Sequence, residues 1–298
     1  MKHLGNEVES QRDNRSLNKN AIRLTSVDTQ PSLVSCDSPI SEVVGKYKTI
    51  LVTAKDKITK IMLNRPHKKN AINLVMYEEI MQALDEAAKD DSTLTVITGC
   101  DDYFSSGNDL KNFSENVDEI MKDDGKLLAN FTHHFVDFPK PLVALVNGPA
   151  VGLAAALLGL CDIVYASDRA TIHAPFSQLG LSPEGCSSYT FPKIMGPIQA
   201  NEMLLFNKKI TADEACTKGL VTEVFADSTF LEEVWPRLKA YADLPKNSLA
   251  ASKHLMRSME KEILHAVSLQ ESKLLVNKFF SDECHKGLQS FFQKRSKL

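Results

Sequence analysis

Hydrophobic positions along the chain switch repeatedly between a two-residue and a helical period. In TILVTAKDKITKIMLN, Thr49 to Asn64, two β-rich runs flank the turn-like Lys55-Asp56-Lys57 and predict a hairpin. LVMYEEIMQALDEAAKDD, Leu74 to Asp91, has apolar residues at helical spacing and predicts an amphipathic helix. A short strand follows at Leu94 to Thr98, then the loop DDYFSSGNDL, a helical stretch through the 120s and 130s, and the strand LVALV ahead of Asn147. The most apolar run, Pro141 to Ala166, is long enough for a membrane span. Asn147-Gly148-Pro149 breaks it and Asp162 charges it, so it reads as strand, turn, buried helix, strand.

Beyond about Phe206 helices dominate: ITADEACTKG, a short strand LVTEVF, then long stretches at Leu231 to Leu244, Ser248 to Ser258 and Glu262 to Phe280. Alternating β and α elements predict the α/β class. Before Val44 the chain is polar, without an apolar period, and reads as a disordered leader. The expected organisation is therefore a leader over 1–43, a core over 44–225 and a helical C-terminal region over 226–298.

Composition adds exclusions. Of the 298 residues 43% are hydrophobic and 24% charged, the balance of a globular protein with a large core. A net charge of -3, with Lys and Arg spread along the chain, gives no footprint for nucleic acid or an anionic membrane. An anionic ligand has to be held by local basic groups. Cys36, Cys100, Cys161, Cys186, Cys216 and Cys284 show no CxxC spacing and imply free thiols in a reducing compartment. The chain ends in Ser296-Lys297-Leu298, a receptor-read peroxisomal address.

GLSPEGCSSYTFP, Gly180 to Pro192, places one carboxylate, Glu184, among small and apolar residues. Two readings compete. Ser182 as N-cap, Pro183 at the first helical position and Glu184 in the first turn describe an ordinary helix start. Alternatively, Glu184 is a buried general base. His133-His134 is a poor metal candidate because adjacent helical residues face apart and no Cys or acidic partner has ligand spacing. Cys186 reads as a packed thiol, and Asp162 and Asp168 as structural.

Three segments taken together, NRPHKKNAIN (Asn64 to Asn73), FSSGNDL (Phe104 to Leu110) and VNGPAVGLAAALLGLCDI (Val146 to Ile163), resemble the crotonase family of enoyl-CoA hydratases and isomerases. The resemblance runs from about Tyr47 to the C-terminus. It implies a crotonase-like ββα spiral core, with the helical C-terminal region used to form trimers, possibly paired into hexamers. It implies a fatty acyl-CoA thioester as substrate and no separate cofactor or metal. Small-residue loops and a helix start both leave backbone N–H groups free, and the resemblance puts an oxyanion hole on the N–H groups of Asn108 and Leu153. Substrate-binding positions implied in the same way are Ser106, Gly107, Asn108, Asp109, Leu110, Lys68, Lys69, Asn70, Gly152 and Phe176. Lys68, Lys69 and Lys111 either pair with coenzyme A phosphates or simply solvate their loops.

The two acids that a hydratase of this family uses fall on Ala156 and Phe176, both apolar, while the position of an isomerase base falls on Glu184. The resemblance therefore implies an isomerase that moves a double bond from C3 to C2, with an apolar wall such as Phe176 or Phe191 raising the pKa of the base. Isomerases of this kind carry an N-terminal acyl-CoA-binding domain, which the polar leader is expected not to supply. The rival readings are a catalytically silent crotonase-fold interaction module and an acyl-CoA hydrolase on the same fold.

Overall fold

The computed structural model describes residues 46–111 and 123–295. The leader 1–43, the first part of the expected helical stretch after Lys111, and Ser296, Lys297 and Leu298 lie outside the described residues. Asp56 and Lys57 both adopt left-handed backbone (φ 53 and 60), so a two-residue turn closes β1 (Ile50–Lys55) onto β2 (Ile58–Leu63) in antiparallel register. The Asn73 side chain accepts the Met76 N–H at 3.0 Å and caps α1 (Leu74–Lys89), which buries Met76, Tyr77, Ile80 and Leu84.

From β2 onward the sheet is parallel. β3 (Leu94–Gly99), β4 (Leu142–Val146), β6 (Ile163–Ser167) and β9 (Glu223–Phe225) extend it to the order β1-β2-β3-β4-β6-β9. Its central strands are buried on both faces. Ile61, Ile97, Ala144 and Val164 pair across the sheet and enter one core, whereas Val96, Val143 and Tyr165 enter another with Phe230, Val234 and Leu238 of α7 (Phe230–Ala242). Burial on both faces is why LVALV is apolar without alternation. A second sheet joins β5 (Ala150–Val151), β7 (Thr171–His173) and β8 (Ile210–Thr211), in the order β5-β7-β8.

The other helices of the core are α2 (Lys126–Asp137), α3 (Leu153–Ala156), α4 (Ser187–Met195), α5 (Pro197–Leu204) and α6 (Ala212–Thr217). The C-terminal region is α7, α8 (Lys246–Ser258), α9 (Lys261–Phe279) and α10 (Asp282–Arg295). The sequence pattern named the first three of these and not α10, where Gly287 interrupts the helical signal. That glycine is needed: a Cβ there would lie 2.8 Å from the backbone of Leu179, so α10 packs directly on the turn before Gly180. Asp162 accepts from Lys253 Nζ at 2.6 Å and lies 3.5 Å from Arg257, tying α8 to the end of the buried helical run.

The reading of a helix start at Ser182-Pro183-Glu184 is corrected. Helix α4 begins at Ser187, and Cys186 (φ 62) is its N-cap. Ser182 Oγ is buried with no hydrogen-bond partner, so it caps nothing. Glu184 sits in the loop before the helix.

Candidate active site

Loops leaving the carboxyl ends of β2, β3 and β4 interlock by backbone bonds. Ile72 N–H donates to the Gly107 carbonyl at 2.8 Å and Asp109 N–H to the Ile72 carbonyl at 2.9 Å. Val151 N–H donates to the Ser105 carbonyl at 2.9 Å, joining the second loop to the third. Gly107 takes φ 80, and a Cβ there would sit 2.4 Å from the Val151 carbonyl oxygen and 3.4 Å from Leu153 N. Only glycine allows the FSSGNDL loop to approach the start of α3 this closely.

This approach leaves two donors together. The N–H groups of Ser106, Gly107, Asp109, Val151 and Gly152 are all paired. Among the described residues, those of Asn108 and Leu153 find no acceptor. Leu153 is the first residue of α3, where a helix leaves its N–H groups unpaired at the positive end of the dipole. Two such groups can hold an oxygen on which negative charge develops.

Glu184 is buried, 7% exposed, and comes to the same place. Asn108 Nδ2 donates to both of its carboxylate oxygens, at 3.1 and 2.9 Å. The Tyr77 hydroxyl, fully buried on α1, donates to Asn108 Oδ1 and so fixes which way the amide faces. Burial pushes the Glu184 carboxyl up to about 8, the nearby Glu271 carboxylate pushes in the same direction, and the Asn108 bond opposes both. A carboxylate with this pKa is a much stronger base than a solvated glutamate. Glu184 precedes α4, and another acid occupies that helix end: Glu271 accepts from Cys186 N–H at 2.7 Å and Ser188 N–H at 2.9 Å.

The remaining candidate residues divide by what their side chains touch. Asn70 is fully buried; its amide donates to the carbonyls of Cys100 (2.8 Å) and Tyr103 (2.7 Å) and accepts from Arg65 N–H at 3.0 Å, so its side chain builds the loops and has nothing left for a ligand. Asp109 pairs with Arg65 at 3.0 Å, and Arg65 also donates to the Ala71 carbonyl at 2.5 Å, clamping the first loop to the second. Gly152 (φ 59, ψ -125) turns the chain into α3. Phe176 is buried where the turn Ser177–Leu179 begins. Ala156 is buried, and its Cβ lies 3.0 Å from where a Cβ on Gly185 would be.

Lys68 and Lys69 are exposed, and Ser106 and Leu110 half-buried. Lys69 Nζ donates to the Tyr103 hydroxyl at 3.1 Å, beside a groove of about 390 Å³ whose lining includes Pro66, His67 and Asp101. Lys111 is exposed at the end of the second loop. Among the described residues no group of three His, Cys, Asp or Glu side chains could hold a metal ion, and no helix is long and apolar enough to cross a membrane.

Sequence reasoning missed Tyr77 and Glu271. Both lie on buried helix stripes and their positions were readable. Tyr77 follows Met76 and precedes Ile80 by three residues; Glu271 shares a stripe with Leu264, Ser268, Leu275 and Phe279. A carboxylate on such a stripe requires a partner inside the protein.

The family model described as Enoyl-CoA hydratase/isomerase matches residues 53–297. The chain belongs to this family. Human "Enoyl-CoA delta isomerase 2" is 56% identical over 294 residues, covering 95% of this chain and 75% of that protein. Mouse "Enoyl-CoA delta isomerase 3, peroxisomal" is 50% identical over 292 residues, covering 95% of this chain and 92% of that protein. Among solved structures, an enoyl-CoA hydratase/isomerase from Pseudoalteromonas atlantica superposes with TM-score 0.76 at 32% identity, covering 83% of this chain and 98% of that one. The resemblance, the α/β class and the crotonase-like core read from the sequence are thereby confirmed. This chain has a carboxylate at 184 and apolar residues at 156 and 176.

Proposed function

We propose that the protein is a Δ3,Δ2-enoyl-CoA isomerase, converting a fatty 3-enoyl-CoA thioester to the 2-trans isomer with Glu184 as its single base. Glu184 carries the reading: a buried carboxylate of raised pKa, held by Asn108 in the loops that also leave the Asn108 and Leu153 N–H groups unpaired. Glu184 takes a proton from C2, and the released electron pair delocalises through C1 onto the thioester oxygen, giving a dienolate whose oxygen the two N–H groups hold. The same carboxyl then returns its proton to C4, and the double bond closes between C2 and C3. Atoms and electrons are conserved within the substrate, so no cofactor enters.

Hydration needs a second carboxylate, and the positions that would supply it are Ala156 and Phe176, both buried among apolar groups. The test is a side-by-side assay with 3-hexenoyl-CoA and crotonyl-CoA. Isomerisation of the first with negligible hydration of the second is expected; efficient hydration, or no turnover of either, overturns the reading. The base acts deprotonated, so a raised pKa removes activity as pH falls: kcat/KM for the isomerisation should climb with pH through about 8, the region to which Glu184 is raised. A profile flat from pH 6 to 9 contradicts this assignment.

The same proposal places the reaction in β-oxidation of unsaturated fatty acids in the peroxisome, supported by the terminal Ser296-Lys297-Leu298 and by the name of the mouse relative. An import receptor would then be a partner. Deleting those three residues should leave isomerase activity intact and scatter the protein through the cytosol; unchanged peroxisomal location contradicts it. Self-association as a trimer, or as paired trimers, belongs to the same reading. Leu255 and Met256 on α8 and Met259 in the turn after it are 71%, 73% and 83% exposed, an apolar surface that a second copy would cover.

A further inference from the structure

Glu271 takes no part in the proton transfer above, yet it is a buried carboxylate, 6% exposed, whose charge acts on the base. It comes from α9, in the helical C-terminal region. Its Oε2 accepts Cys186 N–H at 2.7 Å and its Oε1 accepts Ser188 N–H at 2.9 Å, so one acid caps α4 from 85 residues away in sequence. The turn it grips is unusual: Gly185 (φ 65) and Cys186 (φ 62) are consecutive left-handed residues, and Cys186 is not glycine. Directly before them stands Glu184, whose carbonyl accepts Ser187 N–H at 3.1 Å and Ser187 Oγ at 2.7 Å. The Cys186 thiol is anchored to the same helix, with Sγ 3.3 Å from the Leu264 carbonyl.

We propose that Glu271 is a positioning residue for the isomerase base: its carboxylate holds the Gly185–Ser188 turn that presents Glu184, and it places a second buried negative charge beside that base. The proposal rests on the isomerase reading for its catalytic meaning, but its physical content does not depend on turnover. Burial raises the Glu271 carboxyl too, but its backbone hydrogen bonds to Cys186 and Ser188 oppose that rise, so of the two carboxylates Glu271 loses its proton first. It accepts two backbone N–H bonds at the positive end of α4, whereas Glu184 accepts only a side-chain amide. The titratable groups facing Glu184 are Tyr77 from α1 and Glu271 from α9; Glu271 in turn faces the Cys186 thiol, which burial keeps protonated. Among the described residues no cation forms an ion pair with either carboxylate. The repulsion between them is therefore uncompensated and falls on Glu184.

Charge and reach are separable. Glu271→Gln keeps the length and one acceptor but removes the charge; Glu271→Asp keeps the charge but is one methylene short of spanning both N–H groups. The experiment follows the Glu184 carboxyl by NMR in protein labelled with carbon-13 glutamate, assigned by the signal lost in Glu184→Gln, with kcat, KM and melting temperature measured alongside. Glu271→Gln should move the Glu184 titration, and the pH profile of kcat/KM, to lower pH. Glu271→Asp should leave both midpoints near those of the wild type while lowering kcat roughly tenfold, with KM nearly unchanged, a scale set by misplacing a general base. A residue that only caps α4 would lower the melting temperature in both variants and move neither midpoint. An unmoved Glu184 titration in Glu271→Gln overturns the inference even if the wild type is an active isomerase. A wild type without isomerase activity whose Glu184 titration still moves in Glu271→Gln overturns the functional reading and leaves the coupling standing.

Discussion

Glu184→Gln should lower isomerase kcat by a factor of roughly 100 or more, equivalent to about 2.7 kcal/mol of transition-state stabilisation, the scale of a lost general base. The substitution keeps the length of the side chain and leaves an acceptor oxygen for Asn108 Nδ2, but no group remains that can take a proton from C2. Acyl-CoA affinity should change far less, because coenzyme A would be held along the loops that follow β2 and β3 rather than by the base. Folding offers an independent check. The Glu184 carboxyl is raised to about 8 from its ordinary 4.5, so its protonated form favours the folded state. That contribution is present below the unfolded pKa and fades as pH rises through about 8. Above pH 8 the wild type carries an uncompensated buried charge that Gln lacks, so the variant should melt at the same temperature or higher. Near-normal turnover in Glu184→Gln would end the single-base mechanism. A lowered melting temperature at high pH would instead mean that the carboxylate is a structural acceptor.

Glu184 also marks where local sequence signals mislead. Ser182-Pro183-Glu184 has the residue types of a helix start, and an N-terminal acid is ordinarily favourable there. The structure moves the start to Ser187 because Glu271, supplied from α9, already caps that end, and two left-handed residues at 185 and 186 turn the chain first. No local rule contains an acid 85 residues away. The sheet was more legible, because hairpin, α1, β3 and LVALV each carry their period within a few residues, and burial of both faces explains the one run that does not alternate. Helix α10 was not legible, since Gly287 lowers helical propensity and is tolerated only through its close packing on Leu179. Of the candidate site, the loops and the carboxylate at 184 could be singled out from their motifs. The orientation of the Asn108 amide could not, because it is set by the Tyr77 hydroxyl on a different element.

Leu153 supplies the second large effect, since a backbone donor can be removed by changing the residue to proline. Leu153 is the first residue of α3, the helical position where proline is best tolerated because its N–H has no intrahelical partner. The preceding residue is usually the obstacle to such a change, as proline drives it into extended backbone. Here it is Gly152 at φ 59, ψ -125, the mirror image of that extended region, which only glycine occupies readily. Leu153→Pro should therefore fold, while replacing the N–H proposed to hold the dienolate oxygen with a methylene. The side chain is lost as well, and Leu153 is buried, so the reference is Leu153→Ala, which loses the same packing but keeps the donor. Relative to Leu153→Ala, the proline variant should lose a factor of about 100 to 1,000 in kcat, the range seen when one oxyanion donor is removed. Glu184 stays in place in both variants, so the pH midpoint of kcat/KM should be the same in the pair even as the rates separate. Equal kcat values for the two variants would show that the Leu153 N–H does not hold the reacting oxygen, and the charge would then rest on Asn108 alone.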